Sequence, residues 1–185
     1  MNSQKSFTLI EFIMVIAIIV VIAAVSAGLV TYFTQNSIFI PNKLNTNLAA
    51  SQIMGSIVEG DVDVKGGLRF SKSITAAQNY ILSFHSQNNL NVTYSLNTST
   101  AKLYRSIGGG ANTIYPYYLS NIGVNMYGKN GQMFTYYDAN ENVTAAAANI
   151  SRIKIGFIVN SGSGSYTDWQ GQADVTSSIA VDRYE

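Results

Sequence analysis

The sequence predicts an α+β protein: a long N-terminal hydrophobic helix packed against an antiparallel β-sheet head. Two observations carry this. No charged residue lies between Glu11 and Lys43, and Phe12 to Val30 is apolar but for Ser26. After Val64 the texture changes to short alternating runs, separated about every ten positions by Gly- and Asn-rich turns.

In the 185-residue chain, charged residues make up only 11 %, against ~25 % in ordinary soluble domains. The net charge of +1 gives no basis for nucleic-acid binding. There is no cysteine, which excludes disulfides, thiol catalysis and cysteine-ligated metals. His85 is the single histidine, so a two-histidine metal site within the chain is impossible.

The front element is Phe12–Val30. About 20 helical residues cross the ~30 Å hydrocarbon core, and Ile, Val, Leu and Phe favour lipid. A soluble helix of this length would carry a polar stripe. Residues 31–58 continue the helix in amphipathic form. Leu44, Leu48, Ser51, Ile53 and Ile57 recur at helical spacing, with bends expected near Gly28 and Pro41. Glu59-Gly60-Asp61 marks the end. The expected packing is through Leu48, Ile53 and Ile57 onto one antiparallel sheet.

In the head, Val92, Tyr94 and Leu96 alternate with polar residues, as do Ile153, Ile155, Phe157 and Val159 with their neighbours. Val175, Ile179 and Val181 share one face at period two. Lys129-Asn130-Gly131 between two strand-like runs predicts a hairpin. Ala145–Ala148 reads as a loop or a single helical turn.

Few residues are candidates for chemistry. Glu59, Asp61 and Asp63 form an acidic cluster that would either share a hard cation or stay solvated. Asp138-Ala139-Asn140-Glu141-Asn142 opens like a calcium loop but lacks the following Gly and the final acid, and reads as a turn. Gly108–Gly110 lacks the Lys-Ser/Thr of a phosphate loop. His85 reads as a sheet-face residue. Tyr115, Tyr117, Tyr118, Tyr136 and Tyr137 form either a binding surface or sheet packing. No catalytic residue, cofactor or metal site is assigned.

Glu11 stands apart. A carboxylate at the edge of a membrane segment is costly, and either snorkels to the headgroups or takes a partner. Ser6-Phe7-Thr8-Leu9-Ile10-Glu11 and the apolar tract behind it resemble the N-terminus of the type IV pilin superfamily, which includes the pseudopilins of type II secretion. The resemblance implies cleavage by a prepilin peptidase between Ser6 and Phe7, N-methylation of Phe7, and a role for Glu11 in assembly through a neighbour's N-terminal amine. Ser6 replaces the family's usual Gly, Gly28 stands where major pilins often have Pro, and the C-terminal disulfide of many major pilins has no counterpart. More diffusely, Ile81–Arg105, Phe134–Asn140 and Ile153–Val159 resemble minor pilins and J-type minor pseudopilins.

The resemblance thus implies a leader over residues 1–6, a transmembrane and assembly helix over 7–30, its amphipathic half over 31–58 and a head over 59–185. It implies a structural, non-enzymatic subunit in the bacterial inner membrane, with its head in the periplasm or outside, that later enters a pilus or pseudopilus. Its partners would be other pilin or pseudopilin subunits, prepilin peptidase, the inner-membrane assembly platform and membrane lipid, with no nucleic acid. The alternatives are a soluble domain released by ordinary signal peptidase after Ala27, and a single-span membrane-anchored binding domain or enzyme.

Overall fold

The computed structural model describes residues 8–64, 66–115, 124–161 and 171–181. One helix, α1, runs from Leu9 to Glu59, through both Gly28 and Pro41. The chain divides into two compact units, residues 1–40 and 41–185.

In the first unit the helix buries nothing. Phe12, Ile18 and Ile22 are 58–59 % exposed, and residues 9–33 are exposed on every side. Beyond Val30 the hydroxyls of Thr31, Thr34 and Ser37 donate to the carbonyls of Ala27, Val30 and Phe33 at 2.8–3.0 Å. Each of these three hydroxyls is thereby satisfied within its own helix.

The second unit has its own core. The last turns of α1 bury Thr46, Ala49, Ala50, Ile53, Ser56 and Ile57. This corrects the expected face. Ile53 and Ile57 are buried, but Leu44 and Leu48 stay 63 % and 55 % exposed. The face that packs is the one lined by small residues, which let the helix backbone approach the strands closely. Its hydroxyls find partners: Thr46 Oγ1 donates to Ser161 Oγ at 2.6 Å, and Ser56 Oγ lies 3.0 Å from Tyr94 Oη. The helix ends at Gly60 (φ +87°), whose N–H donates to the carbonyl of Ser56. A Cβ there would lie 2.2 Å from the carbonyl oxygen of Val64, so glycine alone fits.

Two antiparallel sheets follow, where one was expected. The first is a meander of β1 (Ser73–Gln78), β2 (Ile81–His85), β3 (Asn91–Asn97), β4 (Lys102–Ile107) and β5 (Thr113–Ile114), in that order. The second is built on β8 (Arg152–Ser161). It carries β9 (Gly171–Ala180) along one edge, and β6 (Val124–Gly128) and β7 (Phe134–Tyr137) on the other.

The Lys129–Gly131 turn is present. Asn130 and Gly131 both have positive φ and Lys129 bridges Gln132, as a tight two-residue hairpin turn requires. The hairpin goes no further, because β8 takes both strands. Lys129 N donates to the Gly156 carbonyl, and Gly156 N donates to the Met133 carbonyl. β6 and β7 therefore lie end to end along β8. The alternating runs read from sequence form the core: Val92, Tyr94, Leu96, Ile153, Ile155, Phe157 and Val159 are all buried. Residues 147–149 form one 3₁₀ turn.

Candidate functional site: the helix N-terminus

Thr8 is the residue before α1, and its backbone N–H donates to Glu11 Oε2 at 2.8 Å. Its hydroxyl donates to the same oxygen at 2.9 Å, and Glu11 N donates back to Thr8 Oγ1 at 3.4 Å. Thr8-Leu9-Ile10-Glu11 is thus a capping box, in which an N-cap hydroxyl and the carboxylate three residues on satisfy each other's backbone donors. The negative charge also lies in the first turn, at the positive end of the helix dipole. Glu11 therefore has a local partner that the sequence reading did not name. The Thr-x-x-Glu spacing before an apolar run was the signal that would have found it. Ser6 and Phe7 lie outside the described residues.

Behind Glu11 the helix is the one element in the described structure long and apolar enough to cross a membrane. The carboxylate is the only charge on it before Lys43. An apolar cylinder with one acid at its capped end can insert in lipid or pack among like helices, and it offers no catalytic arrangement.

The other residues singled out by sequence serve structure. Asp61 and Asp63 converge on Arg105. Arg105 donates to Asp61 Oδ2, and its second amino group donates to Asp63 Oδ2 at 3.0 Å. Asp61 Oδ2 also accepts from Tyr115 Oη at 3.1 Å and Ser56 Oγ at 3.0 Å, while Oδ1 takes the N–H groups of Asp63 and Val64. Asp61 is largely enclosed in this ion-pair network, while Asp63 joins it from a side chain that stays 65 % exposed, as a solvated junction would. Glu59 lies apart, on Arg69. Burial pushes the Asp61 carboxyl up, but Arg105, Ser56 and Val64 outweigh it and hold it below its ordinary value.

The Arg105 guanidinium lies over the Tyr115 ring, 4.2 Å from its centroid, and Tyr115 packs edge-on against Tyr94. Burial raises the Tyr94 hydroxyl and pushes Tyr115 up to about 12. Tyr136 is buried too, and donates to the Gln78 and Ile81 carbonyls. Tyr137 lies under Arg152. These tyrosines are packing residues, and Tyr117 and Tyr118 lie outside the described residues. His85 Nδ1 sits 3.1 Å from Ser73 Oγ on the sheet. Asp138 Oδ1 accepts from Asn140 N and Asn142 N, so its carboxylate closes its own turn.

No curated protein and no solved structure matches the chain. Residues 1–27 match the family model of the prokaryotic N-terminal methylation motif. That match spans Ser6, Phe7, the Thr8–Glu11 capping box and most of the apolar tract, as far as Ala27. The chain carries a type IV pilin-like prepilin motif.

Proposed function

We propose that the chain is a structural subunit of a type IV pilus or type II secretion pseudopilus, of the minor class. The single observation that carries this is the methylation motif running directly into a fully exposed apolar helix with one acid at its start. In this reading prepilin peptidase cuts between Ser6 and Phe7 and the new amine of Phe7 is methylated. The protein waits in the inner membrane, its head on the far side from the cytoplasm, and the assembly platform moves it into the filament. There Glu11 pairs with the Phe7 amine of a neighbouring subunit. A buried carboxylate and a buried amine relieve each other's desolvation.

The capping box favours a second reading, in which Glu11 serves only to start its helix. The two separate on one substitution. Gln caps as Glu does, but carries no charge. The protein is expressed with its filament partners, and membrane levels are compared with levels in sheared filaments. On the pairing account, Glu11→Gln and Glu11→Ala both reach the membrane at wild-type level or above, and both fail to enter filaments. Normal incorporation of Glu11→Gln would leave only the cap, and normal incorporation of Glu11→Ala would remove the assembly role.

A further inference from the structure

Along the first sheet runs an open groove of about 800 Å³, a size that suits a small-molecule ligand. Its base is the outward row of the sheet, where Ile81, Ser95 and Tyr104 stand side by side on β2, β3 and β4. Leu103 and Arg105, either side of Tyr104, are buried, so the Tyr104 ring points the other way, into the groove. Ala77 and Ala145 add small apolar patches to the walls.

The polar part of the lining is amide. Gln78 and Asn79 come to it from the end of β1 and the turn after it, Asn97 from the end of β3 and Asn112 from the loop before β5, and none of the lining residues is charged. The side chains of Gln78, Asn79, Tyr104 and Asn112 make no hydrogen bond to another described residue. Asn97 uses its oxygen on Ser99 N and Thr100 N, which leaves its NH₂ as a donor.

The frame around these groups is fixed. The Asn79 carbonyl accepts from Met133 N at 2.8 Å and Phe134 N at 3.0 Å, and Tyr80 Oη donates to the Gly131 carbonyl. Tyr136 Oη ties the carbonyls of Gln78 and Ile81 together from beneath. The turn between β1 and β2 is thereby held to the second sheet before any ligand arrives, which lowers the ordering cost of binding. A rigid aromatic face with adaptable amide and hydroxyl groups around it is the composition that recognition surfaces favour.

From this we infer that the groove binds a neutral oligosaccharide bearing N-acetyl groups. A pyranose face is apolar C–H surface that lies flat on a tyrosine ring. Its hydroxyls pair with side-chain amides, which both donate and accept. An acetamido group adds a carbonyl for an Asn or Gln N–H and a methyl group for the alanine patches. Charged ligands find no counter-ion in the lining. The inference is independent of the assembly reading, since every residue it uses lies in the second unit.

The test is calorimetric titration of the full chain, held in lipid nanodiscs to avoid sugar-headed detergents, with chitotriose and with cellotriose. Chitotriose binds saturably, and cellotriose at least about tenfold more weakly, because it lacks the acetamido groups. Tyr104→Ala weakens chitotriose by about tenfold or more, and Tyr104→Phe stays within about threefold of wild type. Circular dichroism shows that each variant is folded, and if Tyr104→Ala is not, Asn112→Ala in the exposed loop is read in its place. No saturable binding of chitotriose at millimolar concentration overturns the proposal. So does wild-type affinity in both Tyr104→Ala and Asn112→Ala. Equal affinity for cellotriose overturns the N-acetyl assignment.

Discussion

At the scale of single residues, the Arg105 network is the feature with the largest consequence. Its guanidinium is nearly enclosed, and removing it leaves Asp61 partly buried and unpaired. Arg105→Ala is expected to cost about 3 kcal/mol, as breaking a buried pair does, measured by denaturant unfolding of the second unit. Asp61 also gives the fold an acid limb. Its folded value lies below the ordinary 3.8, so its contribution is present above that pH and is lost as pH falls through the depressed value. Asp61→Asn should lower stability at neutral pH and flatten the pH dependence of the melting temperature below about pH 4. The buried Tyr94 and Tyr136 and the half-buried Tyr115 act at the other extreme. Tyr115, raised to about 12, contributes stability below pH 10 that is lost as pH climbs toward 12. Absorbance titration should show Tyr94, Tyr115 and Tyr136 ionising only with alkaline unfolding. Asp61, Asp63 and Tyr115 stood out in the sequence, but not the Arg105 that joins them. Arg105 is 44 residues from Asp61, and charge spacing along the chain says nothing about a partner brought in by a β-meander.

At the scale of elements, α1 puts two environments on one helix, and substitutions should divide accordingly. Ile53→Ala removes a fully buried side chain and is expected to cost about 2–5 kcal/mol. Leu44→Ala and Leu48→Ala remove exposed side chains and should leave unfolding of the second unit unchanged within about 0.5 kcal/mol. Gly60→Ala forces a Cβ against the Val64 carbonyl and should cost several times the ~1 kcal/mol of an ordinary left-handed glycine replacement. The helix, its end and the alternation in β3 and β8 were readable because apolar side chains at period 3.6 or 2 leave a strong pattern. The buried face of α1 was misread because Thr46, Ala49, Ala50 and Ser56 carry little hydrophobic signal, and small residues earn burial through close approach. The split into two sheets was hidden for a related reason. Strand periodicity fixes faces but not partners, and β6 and β7 both pair with β8, meeting at Gly156, whose N–H and carbonyl serve the two ends of the turn.

At the scale of the molecule, the core among the described residues lies within 49–181, while the exposed apolar helix surface lies mainly before Ile40. Residues 41–185 expressed alone should therefore be soluble and melt cooperatively, and aggregation of that piece would show that its core is incomplete. The N-terminal motif was the most legible part of the chain, since a charge at a fixed place before an apolar tract is local in sequence. Its chemistry was only half read, because the Thr8 cap gives Glu11 a partner before any neighbour does. The central claim is that this N-terminus is processed for assembly. Intact-mass analysis tests it most directly, on chain extracted from membranes of cells whose prepilin peptidase processes a reference prepilin. The account predicts a mature protein that begins at Phe7 and carries one added methyl group. A chain that still carries Met1, or one that begins at Gly28, would contradict it.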